Sequence, residues 1–161
     1  MIGQPYMQVQ EGWARFRSSL SARVLRGDKI EDLGVIAVKM VTDVWAAHLV
    51  DALQAADTTF SDYKYHDSGI GTTAEAAADT ALETATGQAR VVGSQTEGAT
   101  GNIYKSVATI TYTANYSITE HGLFNAATGP KLADRSIFTA IPITANNRIE
   151  FTYQLTANSG G

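Results

Sequence analysis

Gly69 and Gly71 lie in the segment of the chain that comes closest to a cofactor-binding motif. The sequence Gly-Ile-Gly-Thr-Thr-Ala over residues 69–74 follows a possible strand and precedes an alanine-rich stretch, as in the dinucleotide-binding fingerprint. However, residues 62–67 are polar, whereas the first strand of a doubly wound sheet is buried on both faces and apolar. The helix–strand alternation of that fold is also missing downstream. The sequence therefore favours a loop role for both glycines and predicts no bound cofactor.

Three histidines, His48, His66 and His121, are the only imidazoles that could serve as bases in catalysis. None of them accompanies a nucleophile elbow such as Gly-x-Ser-x-Gly. Asp67 follows His66 and Glu120 precedes His121, but neighbouring residues on a strand point to opposite faces. This spacing argues against a relay or a shared metal ion, so the sequence predicts no catalytic residue.

The carboxylates of the chain do not follow the spacing of a metal site. Asp57, Asp62 and Asp67 recur every five residues, which is not the register of a calcium-binding loop. The chain contains no cysteine, so neither a thiolate metal site nor a disulfide framework is possible. We therefore expect a protein without metal, cofactor or enzymatic activity.

Composition indicates one domain of low charge. The chain has 161 residues, and its charged fraction of 17% is well below the roughly 25% of ordinary soluble domains. Such a composition suits a surface partly buried against protein neighbours, and it equally suits an ordinary threonine-rich β-protein. The formal net charge of -4 argues against a nucleic-acid partner, because domains that bind nucleic acid usually carry a strong basic excess.

The chain carries no recognisable membrane or export signal. No apolar run approaches the roughly 20 residues that span a bilayer, and the first residues lack a basic start followed by an apolar stretch. We therefore expect no membrane association, and synthesis in the cytoplasm.

Residues 1–20 read as an irregular N-terminal arm, because glycine and proline interrupt any regular pattern near its start. Exposed aromatic side chains on such an arm need a surface on which to be buried. We expect the arm to dock on a neighbouring subunit while residues 21–161 fold without it; the alternative is an arm that packs on its own sheet. The candidate partner-binding residues are its aromatic and basic side chains: Tyr6, Trp13, Arg15, Phe16 and Arg17.

The first half of the domain predicts a hairpin and one helix. Residues 21–41 contain two strand-like stretches around the turn residues Gly27 and Asp28. Residues 43–56 repeat apolar side chains at a spacing of four, which predicts an amphipathic helix after an N-cap at Thr42 or Asp43. For the polar segment that follows, we expect a short strand over 63–66, a long loop and one helical turn near 74–84.

Alternating polar and apolar residues mark the second half of the chain as β-structure. In residues 148–156 the apolar side chains fall on every second position, which is typical of a half-buried antiparallel strand. Three further strand-like segments cover 103–113, 116–124 and 135–143. The sequence thus predicts a mainly β fold: an antiparallel β-sandwich or jelly-roll-like domain with one α-helix and an N-terminal arm.

Roughly residues 20–161 resemble small virion structural proteins of tailed bacteriophages, usually labelled head decoration, cement or fibre-like proteins. The resemblance is carried by His-x-x-Gly-x-Gly-Thr-x-Ala-Glu over 66–75 and by Asp-Thr-Ala-Leu over 79–82. Further matching segments are Ile-Thr-Glu-His-Gly-Leu-Phe over 118–124, Leu-Ala-Asp-Arg over 132–135 and the terminal alternating strand.

This resemblance implies a structural role in a virion assembled in the host cytoplasm. The first expectation is a homo-oligomeric capsid decoration or cement protein that binds the major capsid protein lattice. The second is a tail, baseplate or collar component that binds other virion proteins. A host-carbohydrate-binding module is a third possibility, for which Tyr104 and Tyr112 could supply exposed aromatic rings, although their spacing more simply places them in the core.

Overall fold

The computed structural model describes residues 15–39, 41–129 and 131–158. Nine strands and one α-helix make up its regular structure, with a 3-10 turn at Phe60–Asp62. The elements are β1 Arg15–Arg26, β2 Lys29–Lys39, α1 Asp43–Leu53, β3 Tyr65–Gly69, β4 Val91–Val92, β5 Ser94–Glu97, β6 Ile103–Thr111, β7 Tyr116–Phe124, β8 Leu132–Ile143 and β9 Arg148–Asn158.

Two antiparallel sheets enclose the core. Sheet A has the strand order β2-β1-β9-β6-β5, and sheet B has the order β4-β3-β7-β8. The predicted mainly β, sandwich-like fold with one helix is therefore confirmed. β9 lies at the centre of sheet A, and its Ile149, Phe151 and Tyr153 are almost fully buried. Its alternating pattern thus reports correctly which side chains face the second sheet.

β1 extends further towards the N-terminus than the sequence predicts. It begins at Arg15 and pairs with β9 from Arg15 opposite Asn158 onwards, so the predicted boundary of the arm at residue 20 is wrong. Residues 15–20 belong to the sheet, and Leu20 is 1% exposed. The alternation is hidden in the sequence because a serine, Ser18, occupies a buried position, where its hydroxyl donates a hydrogen bond to Asp134.

α1 connects the two halves of the sandwich. Thr42 caps its N-terminus by accepting a hydrogen bond from the backbone N–H of Trp45, as the sequence predicts. The helix ends at Leu53, three residues before the predicted end at residue 56. Two residues beyond Leu53, Ala55 adopts a left-handed conformation with φ 56°, which does not continue a helix. Trp45 is buried, but Leu53, which continues the spacing of four that predicts the apolar face of the helix, is 79% exposed.

The segment between β3 and β4 contains turns and bends instead of the helical turn expected near 74–84. β3 itself spans Tyr65–Gly69 rather than 63–66. The segment returns alongside β3, since the backbone N–H of Ile70 donates to the Thr84 carbonyl at 2.8 Å. No helix of the described residues is long and apolar enough to cross a membrane.

Candidate functional site

His66 and His121 meet in the core, although they are 55 positions apart in the sequence. They lie on neighbouring strands of sheet B, with His66 Nδ1 at 2.9 Å from His121 Nε2. His66 Nε2 lies 2.8 Å from the Ser106 hydroxyl of the facing sheet. Serine and histidine in this contact are the parts of a nucleophile–base pair, and the side chains form a Ser–His–His chain.

Burial disables this chain as a catalytic device. Ser106, His66 and His121 are all fully buried, so no substrate reaches the hydroxyl. Burial lowers the pKa of His66 to about 3 and lowers the pKa of His121 well below its ordinary value, so both rings are neutral and weakly basic. His121 Nδ1 has no hydrogen-bond partner among the described residues. These three side chains instead link the two sheets through hydrogen bonds.

Glu120 is the centre of a second buried network, on the opposite face of sheet B. Its carboxylate accepts four hydrogen bonds, about the number that its two oxygens can accept. The donors are the backbone N–H groups of Gly71 at 3.0 Å, Glu83 at 3.0 Å and Thr84 at 2.7 Å, and Arg135 Nε at 2.9 Å. A carboxylate engaged in this way holds the surrounding loop and has no free site for a substrate or metal ion.

The two glycines of the fingerprint-like segment make room for Glu120. A Cβ at Gly69 would lie 2.4 Å from a Glu120 carboxylate oxygen, and one at Gly71 would lie 2.6 Å from it. The described structure has a loop after Gly71 and not the helix that a dinucleotide site requires. The glycines serve close packing in a loop, in agreement with the sequence-based interpretation.

Arg135 ties the loop over residues 70–87 to sheet B. Beyond Glu120, its guanidinium donates to Asp79 at 3.1 Å and to the Thr73 carbonyl at 3.2 Å. The residues of this network are explained by the anchoring of one loop to the sheet.

This loop covers the outer face of sheet B. Leu82 packs so closely on Gly122 that a Cβ there would lie 2.9 Å from the leucine side chain. Further along the chain, the Arg90 guanidinium lies 3.4 Å from the centre of the Phe124 ring, a cation–π contact. Around Gly122 and Phe124, sheet B is thus covered on its outer face as well as on its inner face.

A third polar cluster surrounds His48 on α1. Its Nδ1 lies 3.0 Å from the Tyr63 hydroxyl and its Nε2 lies 3.1 Å from an Asp57 carboxylate oxygen. Lys131 donates to the same carboxylate and, with hydrogen bonds from Thr59, holds the Asp57 pKa well below its usual value. Burial raises the pKa of Tyr63, so this phenol is not an activated nucleophile. The cluster fastens α1 to the following loop.

Within the described parts of the chain, no three His, Asp or Glu side chains converge as a metal site requires. The three histidines and Glu120 are instead engaged with neighbouring side chains or backbone groups. The sequence could not reveal the His66–His121 contact, because it depends on the register of β3 against β7. The only local signal was the coincidence of two histidines in strand-like segments.

Sheet A, in contrast, keeps an outer face that no described element covers. The register of β1, β9 and β6 places their outward side chains in rows across the sheet. These side chains are mostly small or uncharged: Ser19, Ser21, Thr152, Gln154, Val107 and Thr109. We call this surface the open face.

The edge of the open face along β2 is apolar. Ile30, Val35 and Val38 lie on the outward side of β2 with exposed fractions of 55%, 60% and 43%. The described charged side chains of the face are basic in excess: Arg17, Arg23, Lys105 and Arg148 against Asp32 and Glu150. Arg23 pairs with Glu150 at 3.1 Å. The open face therefore combines an apolar edge with a positive bias in a chain that is acidic overall.

The predicted partner-binding residues are distributed over different environments. Tyr6 and Trp13 lie outside the described residues, and only the backbone of Arg15 is described. Phe16 packs edge-on against Trp45 with ring centroids 4.9 Å apart, so it belongs to the aromatic cluster of the domain and is not a free anchor. Arg17 is exposed on the open face. Of the described candidates, Arg17 alone is placed to contact a partner with its side chain.

The chain matches no protein-family model, no curated protein and no solved structure.

Proposed function

We propose that this protein is a non-enzymatic structural component of a tailed-bacteriophage particle, a capsid decoration or cement protein that binds the major capsid protein lattice through its open face. The observation that carries the proposal is the contrast between the two sheets. Most of sheet B is covered and most polar groups of its histidines and carboxylates are engaged, whereas sheet A presents a surface that no described element covers and whose outward side chains are mostly uncharged.

The chemistry of the open face suits a protein partner. Small hydroxyl side chains allow close approach of another surface, and the apolar edge at Val35 and Val38 offers area to bury at about 25 cal/mol per Å². The basic excess suits an acidic partner surface and would steer its approach. A homo-oligomer that presents several copies of this face would bind a repeating lattice with avidity.

A carbohydrate-binding role finds less support. The outward strand residues of the described open face include no aromatic side chain on which a sugar ring could stack. Tyr112 is fully buried, and Tyr104 points between the sheets. A tail or baseplate location would use the same face on a different partner.

Two matched substitutions test the proposal. Purified particles of the phage that encodes the chain are prepared with Val35→Asp or with Val92→Asp, whose parent side chains are 60% and 58% exposed on sheets A and B. We expect Val35→Asp to lose incorporation into heads, and Val92→Asp to retain it. Quantitative mass spectrometry of separated heads and tails gives the copy number. A chain missing from both fractions, or found only with tails, would contradict the decoration role.

A further inference from the structure

A groove of about 950 Å³ lies beside the start of β1, at the point where the chain leaves β2. Its volume is at the upper end of the range of ligand pockets, about 300–1,000 Å³. Much of its lining is apolar: Phe16, Val38, Val41, Ala76 and Ala77. The two alanines belong to the loop over residues 70–87. The groove meets the open face at Val38 and does not include Val35, on which the docking test depends.

The charges of the groove favour an apolar occupant with at most one acidic group. Lys39 forms an ion pair with Glu75, and the Arg135 guanidinium is held by carboxylates of sheet B and of its covering loop. Arg17 is the remaining charged side chain of the lining, and it is exposed. Since little free charge is left to attract a polar ligand, burial of apolar area would contribute most of the binding.

Beside the groove, the first residues of β1 keep one side without a strand neighbour. The β1–β2 pairing begins at Ser18 opposite Lys39, whereas the β1–β9 pairing already begins at Arg15. Among the described residues, no strand therefore pairs with Phe16 and Arg17 on the side towards β2. An extended segment can add to such an edge through backbone hydrogen bonds, with alternate side chains entering the groove.

Residues 1–14, which precede the described part of the chain, match this groove in composition. They join β1 at Arg15, and they contain a single charged side chain, Glu11, which suits a contact with Arg17. Residues 7–10 alternate apolar side chains with glutamines, a pattern typical of a strand with one apolar face. Fully extended, this segment reaches about 46 Å, enough to cross a domain of this length, whose radius of gyration is about 15 Å.

The sequence before β1 disfavours entry of this segment into the groove of its own copy. The tightest reversal would be a two-residue turn at Trp13 and Ala14, but such turns need positive φ angles, which favour Gly, Asn or Asp. A longer reversal would use up residues that are needed to fill the groove. We propose that residues 1–14 of one copy occupy the groove of a second copy, where they add a strand to β1 and bury their apolar side chains. Exchange of an identical segment between copies is a low-cost route to an oligomer.

Analytical ultracentrifugation of the full chain tests the exchange. Ala76→Arg places a long charged side chain in the groove, and Ala81→Arg makes the same change at an exposed alanine of the same loop outside it. We expect a concentration-dependent oligomer for the unsubstituted chain and for Ala81→Arg, and a dissociation constant at least about tenfold higher for Ala76→Arg. Circular dichroism melts check that both variants fold. A monomeric unsubstituted chain, or equal constants for the two variants, would overturn the proposal. The inference supplies the homo-oligomer of the proposed function, whose docking role is decided separately by incorporation of Val35→Asp into particles.

Because the chain has no cysteine, introduced cysteines report the contact directly. An isotopically labelled Ala76→Cys chain is mixed with an unlabelled Val9→Cys chain and oxidised, and linked peptides are identified by mass spectrometry. We expect a disulfide between the labelled and the unlabelled chain, and a much weaker one when Ala81→Cys replaces Ala76→Cys. Equal linkage at the two positions would contradict the exchange. A disulfide within single chains that carry both Val9→Cys and Ala76→Cys would show that the segment fills its own groove, and would also overturn the proposal.

Discussion

At the scale of single residues, Glu120 shows how a group suited to chemistry is used for structure. It is fully buried, and its charge is compensated by Arg135 and three backbone donors. Breaking one partner of a buried ion pair strands the other charge in a low-dielectric interior. Together with Arg135, this one side chain therefore anchors the loop over sheet B.

Substitution of Glu120 by glutamine tests that dependence. Glu120→Gln should lower the free energy of unfolding by about 1–3 kcal/mol, because the amide cannot accept all four hydrogen bonds and leaves buried donors unpaired, while Arg135 keeps Asp79 and Glu83 as counterions. Glu97→Gln, the same change at an exposed residue of β5, should alter it by less than about 0.5 kcal/mol. Urea unfolding followed by circular dichroism measures both. Equal effects in the two variants would show that Glu120 does not anchor the loop.

The two core histidines make stability depend on pH in a defined direction. Their folded-state pKa values lie below the unfolded value of about 6.5, so the unfolded chain binds more protons as the pH falls. Stability should therefore decrease from about pH 6.5 downwards, by about 1.4 kcal/mol per pH unit for each neutral histidine. Between pH 6.5 and 5 the carboxyl groups of the unfolded chain contribute little. His66→Gln should flatten the slope in urea melts, and an unchanged slope would exclude His66 as its origin.

At the scale of elements, β1 is the strand on which sheet A depends, since it lies between β2 and β9. Deleting residues 1–20 should abolish cooperative unfolding, because it removes Leu20 from the core and cuts the pairing of residues 15–20 with β9. Deleting residues 1–14 leaves every described contact in place and should keep a cooperative transition. Thermal melts of both truncations distinguish the cases. A folded chain lacking residues 1–20 would restore the original boundary of the arm.

An element can be predicted from the sequence when the interactions that define it lie between residues close in sequence. β9 is predicted closely because alternation of side chains is a property of neighbours in sequence. The start of β1 is not predicted from the sequence, because a serine at position 18 can be buried only when Asp134 on another strand accepts its hydrogen bond. The same holds for Glu120, whose donors come from loop positions far along the chain. Sequence patterns report burial, whereas the polar networks depend on the register between strands.

At the scale of the whole molecule, the charge of the open face differs in sign from the net charge of the chain. The chain carries a formal net charge of -4, yet the described open face has four basic and two acidic side chains. The open face would attract an acidic partner over a distance set by the Debye length. That length falls from about 10 Å at 0.1 M salt to about 3 Å at 1 M salt. The apolar edge along β2 acts only on contact and is not screened in this way.

These two contributions can be separated by kinetics. If the open face docks on an acidic lattice, binding of the free protein to undecorated particles should slow as salt is raised, and Arg17→Ala with Arg148→Ala should reduce that salt dependence. Val35→Asp should instead speed dissociation, since it places a charge in the apolar edge that docking would bury. Surface-immobilised particles and a salt series measure both rates. An association rate that changes neither with salt nor with replacement of the two arginines would show that the basic excess of the open face plays no part in docking.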